Sequence, residues 1–519
     1  MAHILLKIQA IANFIGGRIW LLAALMLLSN AILIFSLDFY QTLDGPAHFY
    51  NAHLILTLLD GNSPIENWYQ LNHEIVPNYT SYLLISTLNG LFSTAIANNL
   101  LVFLLASLPG ILGLILFRKS VFKDSVWALF LFPMGFTSAL QMGFFNFSLG
   151  VITLLLYLFF LFRKNLFRPA NLFWNALFGF LLLYTHAYVF VIAMLLLAGT
   201  VIVRIPKPSK TLTSLFQNGY LYGFGLSAVP AGLVFILFAL NHPSFNEVYL
   251  TWTELIEQLV NFSAIVSHHS YFETPYTRAI LLLVIGLMGF RLVKIYGLRM
   301  AELKKQDVAF LFIALLLLVF YFFTPDSVGY AGFLSRRHQW YFVFLLILFL
   351  ATGKLSKPLK ALLGIVLVYM HVQLLLVINQ YQQPFQGLNK DFSKVETIIP
   401  DHAVIYPLDF SSAYEAGHAS NILGSNRNII LLDNYEASMD YFPVIWNRSS
   451  MPSINVQNWC NEKAKHPGFP KVDSELQVVP TYMAYSNDEE DWEVLCPAVF
   501  QNAKVIFKSK HVLLFEPFD

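Results

Sequence analysis

The chain has 519 residues, 57% hydrophobic and only 12% charged, with net charge +1 and mean hydropathy +0.59. Soluble domains carry about 25% charged residues. So few charges cannot build a water-facing surface, which points to a multi-pass membrane protein. The near-neutral balance argues against a nucleic-acid partner.

The first apolar run, 19–37, ends without a small-residue cleavage site and reads as a retained helix rather than a signal peptide. Further spans fall near 79–95, 97–117, 125–141, 148–162, 172–186, 187–203, 214–240, 278–296, 308–324, 338–352 and 360–378. Each approaches the roughly 20 residues needed to cross the hydrocarbon, though several are short. Basic clusters separate them: Arg118, Lys119 and Lys123; Arg163, Lys164 and Arg168; Arg204, Lys207 and Lys210; Arg291 to Lys305; Lys354, Lys357 and Lys360. The positive-inside rule makes these cytoplasmic. Segments 38–78, 241–277 and 324–337, richer in acid, His and aromatics, then face the other side. Two full helices between 79 and 117 would put Arg118 to Lys123 outside, so one of these spans is re-entrant or misread. The fold class expected is an α-helical polytopic domain over 1–379, with about 11–13 transmembrane helices, followed by a soluble α/β domain over 380–519.

Composition turns polar near Gln380. VIYPLDF (404–410) and NIILLDN (428–434) are apolar runs bounded by turn residues, as buried strands are. The intervening SSAYEAGHASNILG starts with Ser and ends with Gly, the signature of a capped helix, so the three form a βαβ unit. Cys460 and Cys496, the only cysteines, form either a disulfide or two buried thiols. Residues 251–266 form an amphipathic helix that lies along the interface or packs on the outer domain.

The stretch DFYQTLDGPAHFYNAH (38–53) leaves the first span already carrying Asp38, Asp44, His48 and His53. Asp44 before Gly-Pro suits a helix N-cap. The same geometry lets a carboxylate with His48 one turn on take a proton from a hydroxyl or amine, or ligate a divalent cation. Asn51 and His53 are substrate-binding candidates on the same helix, and Glu74 in HEIVPNY is a second-carboxylate candidate. In TPDSVGYAGFLSRRHQWYF (324–342), Arg336, Arg337 and His338 oppose the charge bias. A guanidinium fork matches a lipid phosphate; snorkelling to headgroups is the plainer alternative. His268, His269 and Glu273 are a weak metal set, and Gln141, Asn146 and His186 read as interhelical hydrogen-bonding groups. The chain has no Walker A loop, CxxC or HExxH.

LDGPAHFYNA with PNYTSYLLISTLNGLF (77–92), the paired arginines and the polar tail resemble the GT-C superfamily of polytopic glycosyltransferases, such as the protein O-mannosyltransferases and the lipid A aminoarabinose transferase. The resemblance implies a polyprenyl-phosphate-linked sugar donor and a glycan, lipid or protein acceptor. It implies an extracytoplasmic site in a multi-pass protein of the bacterial inner membrane. It makes Asp44 the base and Arg336 and Arg337 the phosphate clamp. Asp-Gly-Pro stands where the family shows an acidic pair, so no cofactor is certain and a divalent cation stays open. Competing readings are a transporter or flippase, which would carry charges in mid-helix, and a scaffold whose YEASMDYF stretch (435–442) meets a partner.

Overall fold

The computed structural model describes all residues except 1–8, 11–12, 62, 75–76, 119–120, 164–168, 205–219, 242–245, 269–270, 298–304, 330, 461–463, 466–476 and 519. The chain divides into two compact units. One comprises Met1–Ile32, Phe103–Leu140 and Asn146–Ile378; the other comprises Leu33–Val102, Gln141–Phe145 and Asn379–Asp519.

The first unit is helical and is organised around the helix Leu334–Ala351, in which every residue from Arg337 to Ala351 is buried. A helix apolar on all sides needs neighbours on all sides. It packs on the helices Lys305–Phe323 and Thr274–Gly297 and on the 3-10 segment Ser125–Leu131. Lys305–Phe323 buries Phe310, Ile313, Ala314, Leu317 and Tyr321, while Phe312, Leu315, Val319 and Phe323 stay exposed. The buried set follows the helical i, i+3, i+4, i+7 spacing, and an opposite face of this apolarity is suited to lipid rather than water. Among the described residues, four helices are long and apolar enough to cross a membrane: Thr94–Leu116, Phe145–Phe162, Lys305–Phe323 and Lys357–Glu396. Shorter apolar helices accompany them.

Two expected spans differ. Residues 125–141 break into the 3-10 turns Ser125–Leu131 and Pro133–Gly135 and the single α-turn Ser138–Gln141. Pro133 removes a backbone donor there, and the backbone of Gly135 lies directly against Ala106. Residues 79–95 give the twelve-residue helix Thr80–Leu91. It is roughly 18 Å long at about 1.5 Å per residue, short of a hydrocarbon core of about 30 Å. The amphipathic helix is Trp252–Asn261, opened by a Thr251–Glu254 capping box and ended by Phe262 at φ 50°. It buries Leu255 and exposes Trp252, Ile256 and Val260.

The second unit joins the polar tail to the segment expected as the first outer loop, so its boundary is not contiguous in sequence. Tyr69–Leu71 pairs antiparallel with Val444–Trp446, and Tyr69 stacks on Trp446 at 4.4 Å. The helix Gly45–Asp60 is buried over most of its length, and Tyr50 donates from its hydroxyl to the Ile429 carbonyl at 2.7 Å. A five-stranded mixed sheet orders Ala503–Lys508, Val512–Pro517, Thr481–Tyr485, Val404–Asp409 and Ile430–Leu431. The first three run antiparallel to one another. Val404–Asp409 is parallel both to Thr481–Tyr485 and to Ile430–Leu431. The expected parallel strand pair is therefore present, but its connection is the 3-10 turns Tyr414–Ala416 and Ala419–Gly424 rather than an α-helix. Gly424 lies so close to the Tyr50 ring that a Cβ would sit 2.4 Å from it.

Cys460 and Cys496 are joined in a disulfide across a sequence separation of 36. Loop-closure entropy for a loop of that size is worth about 3–4 kcal/mol. Replacing both cysteines with Ser is expected to destabilise the tail unit by that order and so to lower its thermal midpoint. Differential scanning calorimetry with and without reductant measures it, and equal midpoints would remove the disulfide from the stability of the unit.

Candidate functional site

Asp44 precedes the first turn of Gly45–Asp60 but makes no side-chain capping bond. Its main chain is held elsewhere: the Asp44 N–H donates to the Met142 carbonyl at 3.2 Å, and its carbonyl accepts from the His48 N–H at 2.9 Å. Gly143 makes this possible. It sits at φ 82°, and a Cβ there would lie 2.7 Å from the Gly45 nitrogen and 2.9 Å from Asp44 Cβ. Both the positive φ and the close approach demand glycine. Gly143→Ala is expected to shift Asp44 and lower turnover by about 10- to 100-fold, since small misplacements of a reacting group are costly. A steady-state assay on protein of unchanged helix content by circular dichroism checks this, and wild-type turnover would show that Asp44 tolerates the shift.

Freed from capping, the Asp44 carboxylate faces a buried polar cluster. Burial raises its pKa to about 7, helped by the nearby Glu436 carboxylate and opposed by His48 and a hydrogen bond from Tyr435. His418 Nε2 lies 3.8 Å from Asp44 Oδ1, and the His418 ring stacks on Tyr435 at 4.2 Å. Burial, with the positive charges of His48 and Lys465, lowers His418 to about 4, so it is neutral at pH 7. His48, one turn beyond Asp44, meets a fully buried carboxylate: its Nδ1 is 2.6 Å from Glu436 Oε1. Tyr82 donates to Glu436 Oε2 at 2.7 Å and lies 3.1 Å from His48 Nδ1. Burial alone would lower His48, but Glu436, together with Asp44 and the Gly143 main chain, reverses this and the net shift is upward.

Beside the cluster, His418 and Tyr435 line a cavity of about 370 Å³ that Asp409, Asp433, Lys465 and Tyr485 also bound. Lys465 Nζ reaches Asp409 Oδ2 at 3.1 Å.

The residues singled out from sequence separate into groups. Asp44 and His48 share the cluster. Asn51 is buried in a reciprocal amide pair with Asn434, at 3.0 and 3.1 Å, with a further bond to the Ala47 carbonyl. His53 Nε2 is 3.1 Å from Asn428 Oδ1. Glu74 is exposed, and the carboxylate that His48 meets is Glu436 instead. In the helical unit, Arg337 is buried, with Nη1 3.3 Å from His186 Nε2 and its guanidinium 5.5 Å from the Phe147 ring centroid. Arg336 lies over the Phe333 ring at 5.3 Å. His338 donates from Nδ1 to the Leu334 carbonyl at 2.7 Å, with its ring against Tyr188. His269 lies outside the described residues. Among the described residues, no group of three or more His, Cys, Asp or Glu side chains is placed to hold a metal ion.

Glu436, His418, Asp433 and Gly143 were not singled out. Glu436 and Asp433 fall in LLDNYEASMDYF, where acid follows a parallel strand. That is the position at which α/β sheets place ligand-facing groups.

No protein-family model matches the chain, and no curated protein matches it. Among solved structures it is similar to ArnT from Cupriavidus metallidurans in the apo state. The match has a TM-score of 0.52 and 11% identity, and covers 96% of this chain and 97% of that one. The likeness shows a shared fold, helical over most of the chain with a strand-containing C-terminal part.

Proposed function

We propose that the protein is a membrane glycosyltransferase of the GT-C type, moving a sugar from a polyprenyl-phosphate carrier to a hydroxyl or amine of an acceptor. The observation that carries this is Asp44. Its carboxylate is buried, not spent on a helix cap, and tuned to about 7. A general base works best with a pKa near the working pH. The full-length likeness to ArnT, a GT-C lipid A aminoarabinose transferase, supports the class.

In this reading Asp44 takes the proton from the acceptor as its oxygen or nitrogen attacks the anomeric carbon. The bond from that carbon to the phosphate oxygen breaks with inversion, and the phosphate leaves carrying the electron pair. When protonated, a form the adjacent Glu436 carboxylate favours, His48 supports the ionised state of Asp44 before the proton arrives. Arg336 and Arg337 are assigned by their chemistry to the lipid phosphate: a guanidinium binds it bidentately, and burial of Arg337 strengthens its contact. His338 would support that contact. The disulfide favours an oxidising compartment for the tail unit, consistent with an outer face of the inner membrane.

The test uses Asp44→Asn and Arg337→Ala. In cells, both are expected to lose the glycolipid or glycan product, read by mass spectrometry. In purified protein, only Arg337→Ala is expected to weaken binding of undecaprenyl phosphate. Two folded, fully active variants would overturn the reading.

A further inference from the structure

Three strand ends meet at the cavity of the tail unit. Asp409 and Tyr485 close the parallel strands Val404–Asp409 and Thr481–Tyr485, and Asp433 follows Ile430–Leu431 by two residues. The carboxyl edge of parallel strands is where open α/β sheets bind ligands.

The groups at this edge narrow the chemistry. Asp433 accepts a short hydrogen bond from the Ser420 hydroxyl on Oδ2, while its buried Oδ1 makes no hydrogen bond among the described residues. His418 Nδ1 is likewise buried without a hydrogen bond. Lys465 is fixed through its main chain, its N–H donating to the Asp409 carbonyl at 2.9 Å, with its ammonium on Asp409 and on the Ser411 carbonyl. Two carboxylates disfavour a free anion, and Lys465 disfavours a bare cation. A purely apolar ligand would leave Asp433 Oδ1 without a partner, at the cost of a buried acceptor. A ring that carries several hydroxyls and has apolar C–H faces satisfies the set. Its hydroxyls donate to Asp433, accept from Lys465 and bond His418, while Tyr435, Met439 and Pro407 meet its apolar faces. The volume lies within the range of small-molecule sites.

We infer that this cavity, bounded by Asp409, His418, Asp433, Tyr435, Lys465 and Tyr485, binds a monosaccharide ring. His418 and Tyr435, which line it, also contact Asp44, so a sugar held here is one side chain removed from the proposed base. That link rests on the transferase reading; the binding itself does not.

The test is saturation-transfer NMR on the full-length protein in nanodiscs, with methyl glycosides and monosaccharide 1-phosphates as probes. Binding of at least one probe is expected, weakened about tenfold by the isosteric Asp433→Asn and by His418→Ala. Tighter binding of 1-phosphates identifies the donor's sugar as the occupant, and tighter binding of methyl glycosides identifies the acceptor's. The absence of saturation transfer from either probe, or binding unchanged in both folded variants, would overturn the inference. If Asp433→Asn abolishes saccharide binding while Asp44→Asn stays active, the cavity stands and the base assignment fails. If Asp44→Asn is inactive and Asp433→Asn binds as wild type, the reverse holds.

Discussion

Asp44→Asn is expected to fold, to melt at or above the wild-type temperature near pH 8, and to lose about 10²- to 10⁴-fold in transfer rate, the range of general-base contributions. The stability half follows from burial. The Asp44 carboxyl moves from an ordinary value of 3.8 to about 7 in the folded chain. Between those values the folded state holds a proton that the unfolded state releases, so stability falls as pH rises through the window. At about 1.4 kcal/mol per unit, the ceiling of the cost is about 4 kcal/mol. Asn carries no charge and escapes that cost, so its advantage should be seen at pH 8 and vanish near pH 4. The activity half runs the other way: only ionised Asp44 can take a proton, so wild-type rate climbs through about pH 7 while the residual Asn rate does not. Melting curves at the two pH values and a pH–rate profile check both halves. A variant that is inactive because it is unstable would instead make Asp44 a structural residue.

Asp44 and His48 were legible because their relation is local. A Gly-Pro helix start sets the residues four apart one above the other, and the structure places both in the cluster. The same neighbourhood logic chose Glu74, which is exposed, over Glu436, which is 388 positions beyond His48. Nothing in one sequence announces a contact of that separation. Asn51 is polar on the right helix, yet its amide is consumed by Asn434; a buried amide must find partners, and those partners lie in the tail. The strands Val404–Asp409 and Ile430–Leu431 were legible as apolar runs between turn residues. Their 3-10 connection was not, because Ser, Ala, Gly and Asn suit an α-helix cap and a 3-10 turn alike. Hydropathy likewise showed an apolar segment at 79–95 but not that its helix stops after twelve residues.

Glu436→Ala is expected to destabilise the tail unit by about 3–5 kcal/mol, because breaking a buried ion pair leaves the partner charge without compensation. Glu436 is fully buried between His48 Nδ1 at 2.6 Å and the Tyr82 hydroxyl at 2.7 Å. Glu436→Gln retains an acceptor for Tyr82 and removes only the charge, for which about 1–3 kcal/mol is expected. The pH dependence separates an ion pair from a neutral hydrogen bond. His48 titrates higher in the folded chain than its ordinary 6.5, so the pair's contribution is full below about pH 6.5 and is lost as pH climbs through the raised value. The penalty of Glu436→Gln should therefore be larger at pH 5.5 than at pH 9. A cycle with His48→Asn should return a coupling of about 0.5–3 kcal/mol at the lower pH. Equal penalties at both pH values would mean that His48 is neutral in the folded chain, and would leave Asp44 without the adjacent positive charge that favours its ionised form.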